Sequence, residues 1–327
     1  MEKYLVIGGN GVIGHFVSRR LVKQGHRPVI MSRSGSADLI ADILDQCDNV
    51  RADMADRNAV NELVREHRIS HIVHLGAALP SVAETDPAAA VRLNVEGTVN
   101  VLEAARNNGI KRVVMASTKA VYGPPTGQYD APDYLPVPES SVPEPRTVYG
   151  ITKLSSEQLG QWYREKHGIE FIALRFGATI GPGKIARHGG ALSRYSVIVE
   201  NAMAGKPVRI DSGADAVCDG LFNDEVARGI LCALQAPNPR HVVYNISTGT
   251  GFTLREFAAA VQRLYPSTQV LVTPDASRAT NTVNFVLDPT RAREDLGFIA
   301  ESGVDRIVEA YVSTMGQLGL APDVGDR

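Results

Sequence analysis

The stretch LVIGGNGVIGHFVSRRL, near the start of the chain, constrains the fold more than any other. Gly8, Gly9, Gly11 and Gly14 stand between a short apolar run and an amphipathic one. Residues without a Cβ let the backbone turn sharply, approach a ligand closely and pack a helix onto the preceding strand. The start of that helix offers free N–H groups and a partial positive charge. A bare GxGxxG spacing fits an ordinary tight turn as well. Directly after a strand and at the opening of a helix, it reads as a cradle for a dinucleotide pyrophosphate, touched by Gly8, Gly11, Val12, Ile13 and Gly14.

The chain after this turn repeats the same alternation. β-Branched runs predict strands over 4–7, 28–32, 49–52, 71–75, 112–116 and 170–174, separated by helical patterns over 11–24, 37–45, 58–67, 87–108 and 147–167. Strand–helix alternation of this kind implies an α/β protein, a Rossmann-type doubly wound parallel sheet covered by helices on both faces. Residues 1–176 are expected to form this dinucleotide-binding domain. Residues 177–327 read as a smaller, mixed α/β substrate-binding part, with 212–250 returning in places to the first domain. There, helices are expected over 191–204, 224–236, 254–265, 288–296 and near the C-terminus, with strands over 208–210, 242–246, 270–272 and 285–287. Residues 123–145 hold seven prolines, which block both helix and inner strand. This loop carries Tyr129 and Tyr134 and reads as a surface excursion or as a lid that shapes the pocket.

Bulk properties narrow the partners. A net charge of −2 supplies no basic field for nucleic acid and no polybasic patch for a membrane surface. The N-terminal apolar run is too short for a signal peptide or a membrane span. Three scattered cysteines support neither a disulfide framework nor a metal site, and a reducing cytoplasmic compartment fits best. The expected partner is a small-molecule substrate. His71 and His74 in HIVH lie three apart on a strand, point to opposite faces and are read as structural, so no metal is expected.

The end of the second strand bears on the cofactor. A dinucleotide site expects an acid there, to accept from the ribose 2′-hydroxyl. PVIMSRSGS instead places Ser32 at that position and Arg33 after it. Serine does not repel a 2′-phosphate and arginine can clamp one, so NADP is favoured over NAD. A merely solvated loop charge is the other reading of Arg33. Asp53, with Met54 beside it, follows the third strand, where a carboxylate could accept from the adenine amino group. Leu75, Gly76 and Ala77 end the fourth strand with small residues where backbone must pass close to the cofactor.

RTVYGITKLSSEQL sets Tyr149 and Lys153 four apart on one helix face. A phenol is a poor base at neutral pH, and a neighbouring ammonium favours the phenolate. Lys153 can also bond the nicotinamide ribose. Such a pair arises by chance often enough to be suggestive only. Ser117 and Thr118, ending the fifth strand in RVVMASTKAVYG, strengthen it, because a hydroxyl at a parallel strand's end can bond a substrate oxygen.

With these segments in view, the chain resembles the extended short-chain dehydrogenase/reductases, also called the NAD-dependent epimerase/dehydratase family. The resemblance rests on GGNGVIG, RLNVEGTVNVLEAAR with Asn94, ASTKAVYG, VYGITK, LRFGATIGPG, DGLFNDEVARGI and YNISTGTGFTLREF, and covers nearly the whole length. It implies that Thr118, Tyr149 and Lys153 are catalytic, with Ser117 a less favoured substitute for Thr118. It also implies a cofactor contact at Asn94. A homodimer through a four-helix bundle built from the 87–108 and 147–167 helices is implied as well.

Departures from the family pattern narrow the chemistry. The resemblance implies that 4,6-dehydratases carry an Asp-Glu pair where Lys119 and Ala120 stand, which argues against dehydration. UDP-sugar epimerases usually carry an Asn where Gly177 stands and an Arg where Cys218 stands. Arg278 matches one of their phosphate-binding positions, but the Asp three residues on is Asn281. RHGG, from Arg187, could meet an anionic or polar substrate but reads better as a solvated loop, and Arg175 reads equally as a structural ion-pair partner or a ligand contact. Net interconversion of an alcohol and a carbonyl therefore ranks first. A sugar or nucleotide-sugar epimerase with tightly bound NAD ranks second. A non-catalytic dinucleotide sensor is disfavoured by the intact Tyr149–Lys153 pair.

Overall fold

Short apolar runs become the inner strands of one parallel sheet, and a polar run, Asp48–Arg51, forms one edge. The computed structural model of the protein describes residues 2–188, 193–274, 284–301 and 303–324. β1 (Tyr4–Ile7), wholly buried, leads through the glycine turn into α1 (Gly14–Lys23). β2 (Val29–Ser32), a 3-10 helix (Asp38–Gln46) and β3 (Asp48–Arg51) follow. α2 (Arg57–Glu66) begins where the Asp56 carboxylate caps the N–H groups of Asn58 and Ala59, and leads to β4 (His71–His74). Beyond it lie α3 (Pro80–Ala83), α4 (Pro87–Ala90), a π-helical turn (Val91–Glu96) and α5 (Gly97–Asn107). β5 (Arg112–Thr118) precedes the proline-rich loop. α6 (Val148–His167) is capped by Thr147, ends at Gly168 in the left-handed region, and leads to β6 (Glu170–Phe176).

The chain then leaves the sheet edge through β7 (Ala178–Ile180), α7 (Lys184–His188), α8 (Arg194–Met203) and β8 (Val208–Ile210). β9 (Gly220–Phe222) pairs with β7 and leads into α9 (Asn223–Gln235) and β10 (Val243–Ile246). α10 (Leu254–Leu264) starts with a Thr253–Glu256 capping box. β11 (Val270–Val272) pairs with β8, and α11 (Thr290–Leu296) and α12 (Val304–Gln317) close the described chain.

The main sheet is seven-stranded and parallel, in the order β10-β6-β5-β4-β1-β2-β3. α1, α9 and the later helices build the core on one face, while α2, α5 and α6 build it on the other. Strand order reverses between β1 and β4, which opens a crevice at their carboxyl ends. β10 adds the seventh strand from residues well beyond 177. The expected strand over 285–287 is not formed. Leu287 makes a single bridge to Val137, and its side chain packs with Phe285 against Val121 and Tyr122. Among the described residues no helix is long and apolar enough to cross a membrane.

Candidate active site

A cavity of about 1170 Å³ opens at the carboxyl ends of the strands over this crevice. Every catalytic or cofactor-binding candidate from the sequence lines it except Asp53 and Asn94. The glycine turn is fixed by its own packing. Gly8 has φ +80°, and a Cβ on Gly14 would stand 2.0 Å from the Gly8 carbonyl oxygen. Any larger residue at Gly14 would therefore lift α1 off β1. Among the described residues the N–H groups of Val12 and Ile13, at the start of α1, donate to no acceptor. An oxyanion placed there meets free donors and the positive end of a helix, so the cradle fits a dinucleotide pyrophosphate. Gly76 is pressed onto Met54, whose Sδ would lie 2.5 Å from a Cβ there. That brings the backbone after β4 down to the cavity floor.

At the end of β2, Ser32 is a turn residue. Its Oγ accepts from Asn10 Nδ2 at 2.8 Å and from the Gly35 N–H at 3.1 Å. The Arg33 side chain is exposed on the cavity rim, while its carbonyl accepts from Arg51 Nε at 3.0 Å. Asp53 lines a neighbouring hollow with Arg33 and Arg92, and its carboxylate accepts from the Ala55 N–H. The structure gives Asn94 a different task from the one the resemblance implies. It is 1% exposed, with Oδ1 accepting from Ala78 N–H at 2.6 Å and Nδ2 donating to the Ala78 carbonyl and to Thr152 Oγ1. All its polar atoms are used in holding the loop after β4 against α6.

The catalytic candidates come from two adjacent elements. Thr118, at the end of β5, is half-buried, and its Oγ1 accepts from the Ala120 N–H at 3.1 Å. Its own hydroxyl proton remains for a ligand. Ser117 differs: its hydroxyl donates to Glu157, which is also held by Arg175 through Nε at 3.0 Å and Nη2 at 2.6 Å. That buried network disqualifies Ser117 as a substitute for Thr118 and makes Arg175 an internal ion-pair partner. Tyr149 and Lys153 project from the first turns of α6. Burial pushes the Tyr149 phenol up to about 12. Burial also pulls the Lys153 ammonium down to about 8, against the opposing pull of Glu157. Desolvation is the one cause of the phenol's shift, and the lowering expected from its lysine neighbour does not enter it.

Several wall residues carry no recognisable sequence signal. Glu84 accepts from the N–H groups of Tyr149 at 3.1 Å and Val148 at 3.3 Å, placing a carboxylate at the positive end of α6. Lys184 is buried, and its Nζ donates to Thr179 Oγ1 at 2.7 Å. Lys119 is buried too, bonded to Asp219 Oδ1 at 3.1 Å, Cys218 Sγ at 3.1 Å and the Phe285 carbonyl at 2.9 Å. A Cβ on Gly177 would stand 2.2 Å from that same Asp219 carboxylate. The departures at Gly177, Lys119 and Cys218 are therefore one packed unit. Arg278 and Asn281 lie outside the described residues, as do Gly189 and Gly190 of RHGG; Arg187 pairs with Asp38 at 2.6 Å. Neither Tyr129 nor Tyr134 reaches the cavity. The proline-rich loop docks on the sheet edge instead, where Glu139 accepts from the Asn245 N–H of β10. His74 meets Thr98 Oγ1 and is kept neutral by burial, near 3, while His71 stacks on Tyr4.

The profile of the NAD-dependent epimerase/dehydratase family matches residues 4–247. The chain belongs to this family. Family relatives include both UDP-sugar epimerases and dehydrogenases. Bovine mitochondrial L-threonine 3-dehydrogenase is 27% identical over 82% of this chain and 70% of its own length. The UDP-glucose 4-epimerase of Streptomyces lividans is 27% identical over 90% of this chain and 91% of its own. Among solved structures, the UDP-glucose 4-epimerase of Thermus thermophilus, in complex with NAD, superimposes with a TM-score of 0.79. It is 26% identical and covers 95% of this chain and 99% of its own. Membership makes the chain one of a family of NAD-dependent enzymes built on a Rossmann fold.

Proposed function

We propose that this family member interconverts an alcohol and a carbonyl with net turnover of the dinucleotide. The observation that carries this reading is the Gly177–Asp219–Lys119–Cys218 unit. An Asp219 carboxylate fills the space an Asn at 177 would need, and Lys119 stands where a dehydratase needs an acid. The nucleotide-sugar end of the site is thus rebuilt, while Thr118, Tyr149 and Lys153 line one cavity with the dinucleotide cradle.

The dinucleotide, when bound, supplies or takes the hydride. It would be held by the glycine turn, by Val12 and Ile13 N–H, and by Lys153 at the nicotinamide ribose. In reduction, the Thr118 hydroxyl holds the carbonyl oxygen and Tyr149 donates its proton to the forming alkoxide. Lys153, one helical turn along α6 from the phenol, stabilises negative charge as that proton leaves. In oxidation, the phenolate takes the proton from the alcohol. We further assign NADP as the preferred cofactor. No acid stands at the end of β2, and Arg33 lies exposed at the rim with its backbone steadied by Arg51. The KM for NADPH is expected to lie at least ~10-fold below that for NADH, a difference the ribose contacts alone can supply. Equal values, or a preference for NADH, would remove this assignment.

Loss of absorbance at 340 nm with carbonyl substrates tests the reaction. Tyr149→Phe should lower turnover by ~1000-fold or more while leaving cofactor affinity intact. The epimerase reading has one supporting observation, the likeness to UDP-glucose 4-epimerases, and predicts a changed substrate with no net change at 340 nm.

A further inference from the structure

Lys184 enters the cavity wall at the start of α7. The residue is 4% exposed, and its ammonium has a single hydrogen-bond partner among the described residues, Thr179 Oγ1. Among the described residues no carboxylate lies within ion-pairing distance of it. Burial without a counter-ion pulls it down to about 7. Arg194, half-buried at the start of α8, lines the same cavity. Its guanidinium lies 5.3 Å from the centre of the Tyr195 ring and reaches Asn284 Oδ1 at 3.4 Å, again with no acid among the described residues. Among the described residues Glu84 is the one acid lining the cavity, and its two oxygens are taken by the N–H groups of Val148 and Tyr149. Lys119 is neutralised by Asp219. His188, beside Lys184, is kept neutral by burial, near 3.

Without a counter-ion the buried amine meets its desolvation cost by giving up its proton more readily, and an anionic ligand beside it would restore the charge. The pyrophosphate cradle already has its own donors at Val12 and Ile13. Thr179, which holds Lys184, lies three residues beyond Phe176, the register partner of Thr118 across β5 and β6. Gly183, next to Lys184, packs on Val12 of the glycine turn, so Lys184 stands between the strand that ends beside Thr118 and the cradle, with Arg194 lining the same cavity. We propose that Lys184 and Arg194 form a carboxylate-binding subsite, so that the substrate is a hydroxy or oxo acid. This rests on the reading of the cavity as the site of alcohol–carbonyl interconversion and names its substrate class.

The test is equilibrium binding of short oxo acids to the NADP-loaded protein, each beside its uncharged methyl ester. The acids should bind at least ~10-fold more tightly than the esters, the worth of one well-placed ion pair. Lys184→Met and Arg194→Gln should each abolish that difference, Lys184→Arg should keep part of it, and NADPH affinity should stay within ~2-fold of wild type. Lys184→Met also removes the uncompensated charge, so the chain stays folded. The inference is overturned if acid and ester bind alike, or if no acid binds up to ~10 mM. It is overturned equally if Lys184→Met weakens NADPH by ~10-fold, which would make the lysine a cofactor-phosphate ligand. Binding is read without turnover. An epimerase that reduces nothing would still pass this test, and a reductase of neutral ketones would fail it.

Discussion

Two buried lysines lining one cavity show how burial prepares a side chain for different work. Lys153 is pulled down to about 8 by desolvation, with Glu157 one helical turn away opposing the shift. An amine with a lowered value loses its charge as pH rises through that value. The proposed reduction uses Lys153 charged and Tyr149 protonated, and the phenol at about 12 stays protonated far above neutrality. The reductive kcat/KM should therefore fall as pH rises above about 8, with a slope of one proton. Lys153→Arg, whose guanidinium does not titrate in this range, should lose that descent along with much of the rate. A profile that stays flat from about pH 7 to about pH 10 in the wild-type enzyme would remove the lysine's charge from the mechanism. Lys184 gives a matching stability test. Its folded-state value of about 7 lies below that of an unfolded lysine, so between the two the unfolded chain binds the extra proton and wild-type stability rises with pH. Lys184→Met should raise Tm by a few degrees at and below neutrality, a gain that fades toward about pH 10. An unchanged Tm across that range would mean the ammonium is already compensated.

At the scale of elements, α6 is the part on which the site most depends. It presents Tyr149 and Lys153 from its first turns and lies against β6 through Gly160. A Cβ there would meet the Phe171 ring at 2.2 Å. Gly160→Ala should cost ~1–3 kcal/mol by overpacking, despite alanine's better helix propensity, and should lower activity by shifting the helix. A variant as stable as wild type by urea denaturation would show that the ring can move aside. The same scale shows what was legible in the sequence. The six strands of the first half and the helices between them are long enough for their period to show. The cofactor turn and the Tyr149–Lys153 spacing follow from local geometry alone. β7 and β9 leave no signal in the sequence although β8 and β11, equally three residues long, do, because β7 runs on from β6 across Gly177 and β9 runs straight into α9, so neither stands apart as a separate run. Residues 285–287 look like a strand because both faces are apolar, yet their partners are side chains across the loop and not a ladder. Ser117, Asn94 and Lys184 escape a reading of the sequence for a common reason. What each does depends on residues 40, 16 and 5 positions away, respectively, in packing that no spacing records.

At the scale of the whole molecule, α5 and α6 pack side by side and leave an apolar face outward. The π-helical turn and the start of α5 carry Val91, Val95 and Val99 at intervals of one turn, and Val91 is 51% exposed. On α6, Ile151 and Trp162 are 50% and 47% exposed, with Gln158 between them on the same stripe. Large apolar side chains rarely stand in line on a monomer's surface, because each costs free energy in water that a partner would recover. A two-fold axis across this face would bring the helix pair against its copy as a four-helix bundle, the arrangement the family resemblance implies. The protein should therefore sediment at twice its 35.2 kDa mass at micromolar concentration. Trp162→Glu together with Ile151→Glu should return it to a monomer, since buried unpaired charges cost more than one such face supplies. The cavity lies at the carboxyl ends of the strands and these stripes lie on a helical flank, so a stable monomeric variant should retain cofactor binding. A wild-type protein that remains monomeric at those concentrations would leave the stripe to some other partner.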